Sequence, residues 1–212
     1  GGRRRTGARH VTETPEALRV ERVGAEHAEA LAALFERVDC PCYCRYWDFP
    51  GDARQWQDRC ANARGVNRTE LLEALATANA AGEGLLGLVA LAADGSCVGW
   101  MRLERPGRMG KLYDGRLYRG LPCLTGERRD VLTVACFLVD EAWRRRGVAR
   151  RLLQDALEVA TAAGARALEA FPRRAEGVSD AEHWMGPPAL YEELGFTVLH
   201  ELGPYPVMRR EL

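Results

Sequence analysis

WRRRGVARRLL, residues Trp143 to Leu153, gathers Arg144, Arg145, Arg146, Arg150 and Arg151 around one glycine. An apolar run ends just before it and a helical pattern begins inside it, so these arginines fall on the first turn of a helix. The positive end of the helix dipole disfavours cations there, by a few tenths to about 1 kcal/mol each. A bound anion reverses that sign, because first-turn N–H groups have no partner within the helix and point toward it.

The flanks strengthen the anion reading. Upstream, DVLTVACFLVD (130–140) is nearly continuous in β-branched and apolar residues, as expected of a central strand covered on both faces. Downstream, GVARRLLQDALEVATAAG (147–164) places Val148, Leu152, Leu153, Ala156, Leu157 and Ala160 on one helical face, and Gly164 ends the pattern. ARALEAFP (165–172) reads as the next strand, and strand–helix–strand at this spacing implies a parallel pair. PPALYEELGF (187–196) predicts a short helix between prolines and Gly195, and TVLHELGPYPVMRR (197–210) predicts two strands about a Gly-Pro turn. Neither a nucleotide-triphosphate loop, G-x-x-x-x-G-K-[ST], nor a dinucleotide G-x-G-x-x-G is present.

The first half is less regular. LRVERV (18–23) alternates like a strand, and EHAEALAALFERV (26–38) carries Leu31, Leu34 and Phe35 at helical spacing. NRTELLEALATANAAG (67–82) predicts a helix with Asn67 as N-cap, Glu70 three positions on and Gly82 as the stop. LLGLVALAADGSCVGWMRLE (85–104) predicts a hairpin turning at Asp94-Gly95. Residues 105–129 are rich in Gly, Arg and Tyr without periodicity, and a loop of that length is usually functional or mobile.

Composition bounds the function. The chain has 212 residues, with 30 basic and 30 acidic side chains, so nothing global points to nucleic acid or to an anionic membrane surface. No apolar run approaches the roughly 20 residues of a membrane span. GGRRRTGARH at the start lacks the apolar region of a secretory signal, and residues 1–17 read as a disordered or appended arm before one domain, 18–212. Seven scattered cysteines, an odd number, fit a reducing cytoplasm.

Arg144-x-x-Gly147-x-Ala149, with the strand before it, LEAFP after the helix and then LYEELGF, resembles the pyrophosphate loop and following order of the GNAT N-acetyltransferase superfamily. The resemblance is strong from Val131 to Phe196 and looser from Leu18 onward. It is closest to bacterial members that carry a CxC-aromatic segment and an EA[FY]P strand. It implies an α/β fold with a mixed, mostly antiparallel sheet, helices on both faces, and a central parallel strand pair splayed at an acyl-CoA site. It also implies an acyltransferase that takes acetyl-CoA as co-substrate and moves acetyl directly to a primary amine, without a metal.

On that resemblance the backbone of Arg146, Gly147, Val148, Ala149 and Arg150 cradles a pyrophosphate, while side chains of Arg144, Arg145 and Arg146 face phosphates. Phe137, Leu138 and Val139 pair with the pantetheine arm as an added strand would. Tyr191 resembles the tyrosine that donates a proton to the coenzyme A sulfur. Many members have an asparagine seven positions before that tyrosine; here the position is Trp184, and Pro187 and Pro188 delay the helix. An attacking amine must arrive neutral, and Glu169 and Glu104, at strand positions near the expected cleft, are the candidate bases.

CPCYCRYW (40–47) is the other anomaly. In an extended chain Cys40, Cys42 and Cys44 point to one side, and three thiolates with His27 make a conceivable zinc set. The spacing is not that of a C-x-x-C knuckle and no second pair follows, so the expectation is packing, as a wall of the acceptor pocket beside Tyr113 and Tyr118 of the long loop. His183 and His200 lack partner spacing and read as incidental. The acceptor, a small-molecule or peptide amine, has no readable code, and a homodimer is left open. The competing reading is a non-catalytic acyl-CoA-binding or cysteine-based metal or redox-sensing module on the same fold.

Overall fold

Period-two alternation in the apolar runs and period-3.6 stripes between them sort this chain into one sheet with helices on both faces. The computed structural model describes residues 18–81, 85–174, 177 and 183–212. The arm expected over residues 1–17 and the stop expected at Gly82 lie outside the described residues. The strands are β1 (Arg19–Arg22), β2 (Leu86–Leu91), β3 (Cys97–Glu104), β4 (Val131–Val139), β5 (Ala167–Ala170), β6 (Thr197–His200) and β7 (Val207–Glu211). They form a seven-stranded sheet in the order β1-β2-β3-β4-β5-β7-β6. β4 and β5 are parallel, and every other neighbouring pair is antiparallel.

Both faces are covered. Helix α5 (Val148–Ala162) buries the six residues its periodicity marked against one face, where Leu88, Ala90, Met101 and Leu103 point. Val89, Leu91 and Trp100 point the other way, onto α1 (Ala28–Arg37) and α3 (Arg64–Ala81). Gly99 sets the spacing on the α5 side. A Cβ there would lie 2.6 Å from Val148 Cγ1 and 3.2 Å from Leu152 Cδ1, so any side chain would push the helix off the sheet. No helix among the described residues is long and apolar enough to cross a membrane.

The sequence reading needs correction in three places. Helix α2 (Ala53–Asn62) was not anticipated. Its signal is a capping box, in which Gln55 N donates to Asp52 Oδ1 (2.8 Å) and Asp52 N to Gln55 Oε1 (2.9 Å). α3 begins at Arg64, so Asn67 is not its cap; the Asn67 amide lies inside the helix and donates to Pro41 O (2.9 Å). The long loop is packed into short turns, including α4 (Gly110–Tyr113), and its Tyr113 and Tyr118 rings meet Phe171 edge-on at 5.4 and 4.9 Å.

The central strands are joined only at one end. Val131 pairs with Ala167, Leu132 with Leu168 and Thr133 with Glu169, after which β4 and β5 part. A bulge follows on β4: Arg102 faces Cys136 and Leu103 faces Val134, leaving Ala135 extra, with its carbonyl held by Trp47 Nε1 at 3.0 Å. At the last joined rung the fully buried Glu169 accepts from Arg209 Nε (3.0 Å) and Nη2 (2.6 Å), from Arg128, and from the Tyr113 hydroxyl (2.8 Å). The same hydroxyl lies 2.6 Å from Thr133 Oγ1, so one carboxylate ties β4, β5, β7 and the long loop together.

Removing one partner from such a buried pair costs about 3–5 kcal/mol, because the cations left behind are poorly solvated. Glu169→Gln should therefore lower unfolding stability by about 3 kcal/mol in urea melts. A midpoint equal to that of the parent would show that this cluster does not clamp the strands.

Candidate active site

The loop after β4 is built to expose N–H groups. Asp140 caps a 3-10 turn, Glu141–Trp143, by accepting from Ala142 N at 3.0 Å. Arg145 (φ 59) and Gly147 (φ 82) then adopt left-handed conformations, which turn the chain into α5. Nothing lies within 4 Å of where a Gly147 Cβ would be, so the glycine serves the backbone conformation and leaves the space above it open. The first helical bond runs from Arg151 N to Gly147 O, and the amides of Val148, Ala149 and Arg150 precede it.

The arginines do not act alike. Arg150 pairs with Glu193, Arg151 with Asp155 (2.8 Å), and Arg144 with Glu141 (3.5 Å). Arg146 stacks over Trp143 at 5.6 Å from the ring centroid, and it does not line the cavity described next. Carboxylates thus offset part of the cation excess at the helix start.

A cavity of about 780 Å³ runs along the parted edge of β4. At one end it is lined by Arg144, Arg145, Gly147, Val148, Ala149 and Arg150, and along its length by Cys136, Phe137, Leu138 and Val139. Its remaining wall is formed by Phe35, Asp39, Cys40, Pro41, Cys42, Tyr46 and Trp56, with His183, Trp184, Pro187 and Leu190 across from β4. The loop and strand residues that the resemblance singled out therefore share one surface, Arg146 excepted.

Two features of that surface were not legible beforehand. Phe137 N donates to Trp184 O at 2.6 Å, so this amide of the β4 edge is already paired. By strand alternation the Val139 amide faces the same side. His183, read as incidental, lines the cavity, and its buried Nδ1 has no hydrogen-bond partner among the described residues. Its spacing in the sequence carried no signal; only the fold brings it opposite β4.

The acid–base candidates are placed differently. Tyr191 lies on α6 (Pro188–Glu193), which starts late, as the prolines implied. Its ring is fully buried behind Phe137, edge-on to it, and does not itself line the cavity; its hydroxyl donates to Met185 O at 2.6 Å. Burial, and then the neighbouring Cys136, raises its pKa well above the usual phenol range. Glu169 and Glu104 do not line the cavity, which corrects their assignment as candidate bases. Both oxygens of Glu169 accept from arginines, and Glu104 accepts from Arg102 Nη2 (2.6 Å) and Arg105 N (2.9 Å). Arg102 is itself fully buried and also holds Asp48 Oδ2 (2.8 Å) and Cys44 O (2.7 Å). Carboxylates committed in this way are anchors. Tyr113 and Tyr118 are likewise absent from the cavity wall, since their rings pack on Phe171.

The cysteine segment is not extended. Tyr43 (φ 44) and Cys44 (φ 56) are left-handed, so Cys40 and Cys42 line the cavity while Cys44 turns into the core. His27 is bound elsewhere: Nδ1 accepts from Gly24 N (3.0 Å) and Nε2 lies 3.1 Å from Glu21. Among the described residues no group of three His, Cys, Asp or Glu side chains is placed to hold a metal ion.

The family model of the acetyltransferase (GNAT) family matches residues 51–196. Among solved structures, the PaiA N-acetyltransferase of Thermoplasma acidophilum, in complex with coenzyme A, aligns with a TM-score of 0.56 at 12% identity over 92% of this chain and 99% of that one. A GCN5-related N-acetyltransferase from Kribbella flavida aligns with a TM-score of 0.50 at 23% identity, over 92% and 98%. A phosphinothricin acetyltransferase from Sinorhizobium meliloti, in complex with AcCoA, gives a TM-score of 0.51 at 15% identity, over 92% and 88%. These identities speak for the fold alone, and no curated protein matches the chain. The family match spans more than half of the sequence and includes the β4–α5 loop, so this chain belongs to the GNAT acetyltransferase family.

Proposed function

We propose that the protein is an N-acetyltransferase that uses acetyl-CoA and acetylates a primary amine. The observation that carries this reading is the continuous cavity joining the open Gly147 loop to the parted edge of β4. The residues present suit a coenzyme A thioester. Amides of Val148, Ala149 and Arg150 meet the pyrophosphate at the positive end of α5, Arg144 and Arg145 supply cations, and the Val139 amide faces the pantetheine arm. Acetyl-CoA supplies the activated acyl group; the chain supplies position and proton transfer.

His183 is the proposed base in place of Glu169 and Glu104. It lines the cavity opposite β4, and its buried Nδ1, an acceptor in the tautomer protonated at Nε2, is not engaged by any described residue. The Tyr191 phenol keeps its proton and is the donor to the leaving sulfur, provided that Met185 O releases it. The cavity wall outside the loop and β4 favours an amine on an apolar body over a polycation. Phe35, Tyr46, Trp56 and Trp184 stand there, and the carboxylate lining it, Asp39, is paired with Arg64 at 2.7 Å.

Turnover tests the reading. Release of free coenzyme A from acetyl-CoA should depend on an added amine, with aromatic and alkyl amines ahead of spermidine. His183→Asn and Tyr191→Phe should each slow that release by about 100-fold while the fold is retained. Amine-independent or absent release by folded protein would favour the non-catalytic binding module. An unchanged rate in either variant would remove that residue from the mechanism.

A further inference from the structure

Three thiols, Cys40, Cys42 and Cys136, line the cavity with Cys44 buried beside them, and acetyl transfer uses none of them. They form two pairs. Cys40 Sγ and Cys42 Sγ lie 3.3 Å apart, and both residues are half-buried and line the cavity. Cys44, 3% exposed, neighbours Cys136, which is 7% exposed and lines the cavity from β4. Pro41 fixes φ between the outer two, and Cys44 N donates to Cys42 Sγ at 3.4 Å, so the outer pair is held in register.

We propose that Cys40 and Cys42 are a redox-active dithiol in the cavity wall, converted to an intramolecular disulfide by a small peroxide. The Cys40 sulfur attacks one peroxide oxygen, the O–O bond breaks, and the departing oxygen takes the thiol proton and leaves as water or an alcohol. This leaves Cys40 as a sulfenic acid. The Cys42 sulfur then attacks the Cys40 sulfur, the S–O bond breaks, and hydroxide leaves with the Cys42 proton as water. Two thiols are oxidised by two electrons in total, and the peroxide bond is reduced by the same two.

The surroundings divide the roles. The hydrogen bond from Cys42 lowers the Cys40 pKa against the opposing effect of burial, whereas Cys42 is raised by that same bond and by burial. Cys40 is thus the attacking thiol and Cys42 the resolving one. Burial pushes Cys44 up, but the hydrogen bond from Cys136 and the Arg102 charge outweigh it and hold Cys44 at about 7. Cys44 is shut in the core, and Cys136, though it borders the cavity, is more buried than Cys40 and Cys42 and has its thiol pKa pushed well up by Cys44 and by burial, so the outer pair reacts first. Since Cys40 and Cys42 line the same cavity as Tyr46 and Trp56, a disulfide there alters the wall expected to receive the acceptor, while the amides of the Gly147 loop are untouched. Only this last consequence rests on the acetyl-transfer reading; the oxidation itself does not.

The test uses the full chain, reduced and then exposed to stoichiometric hydrogen peroxide, alkylated and cleaved after arginine. The peptide from Val38 to Arg45 should lose about 2 Da and keep one alkylatable thiol, Cys44. This should occur at least about tenfold faster than oxidation of the half-buried Cys60 and Cys123 in the same sample. Cys42→Ser should instead stop at a Cys40 sulfenic acid, trapped as a 1,3-dione adduct. A disulfide between Cys44 and Cys136, or oxidation of Cys40 no faster than that of Cys60 and Cys123, would overturn the proposal, whether or not the protein transfers acetyl groups.

Discussion

The structure depends on the parting of its two central strands. β4 and β5 share three rungs, from Val131 with Ala167 to Thr133 with Glu169, and then separate. A parallel pair that continued would leave no polar edge in the middle of the sheet. Because it stops, the backbone of β4 from the bulge at Ala135 to Val139 needs partners from elsewhere. Trp47 supplies one to Ala135 O and Trp184 O supplies one to Phe137 N. The remaining edge opens into the cavity. Glu169 marks the hinge of this arrangement, with arginines from β7 and from the segment before β4 closing on it.

The same parting explains why the β4–α5 loop faces the gap. β4 runs past the end of its pairing with β5 directly into the Asp140 turn, so the first turn of α5 stands at the mouth of the gap. Left-handed Arg145 and Gly147 aim the amides there, and the dipole of a fifteen-residue helix adds to them. Much of the arginine cluster around Gly147 is paired within the protein. Glu193, Asp155 and Glu141 claim Arg150, Arg151 and Arg144, which moderates repulsion around the loop. Backbone amides are therefore the constant feature, and the guanidinium groups are adjustable around them.

What could be read from the sequence was what periodicity encodes. The buried face of α5, the apolar length of β4, the late start of α6 and the Asp94-Gly95 hairpin follow from local spacing, because each is one element packing one stripe. The loop was legible because Gly147 and Ala149 sit between two such elements. Tertiary encounters were not. His183 meets β4 only through the fold, and Glu169 and Glu104 look like cleft carboxylates until their arginine partners, 40 or more residues away for Glu169, are placed beside them. Cys44 turned away from Cys40 and Cys42 through a left-handed backbone that no alternation pattern predicts for a tyrosine and a cysteine. Helix α2 was missed because its polar sequence leaves no residue fully buried, although its Asp52–Gln55 cap was present in the sequence.

The proposed function requires that the open Gly147 loop and the parted β4 edge bind a coenzyme A thioester. Calorimetric titration with acetyl-CoA, beside ATP and NAD, measures it directly in the parent and in Gly147→Glu, which places a carboxylate and a strained left-handed residue at the cradle. The expected result is selective binding of acetyl-CoA near micromolar affinity, about −8 kcal/mol, that is lost in the variant. Equal heats for all three ligands, undiminished binding by the variant, or no binding by folded protein would contradict it.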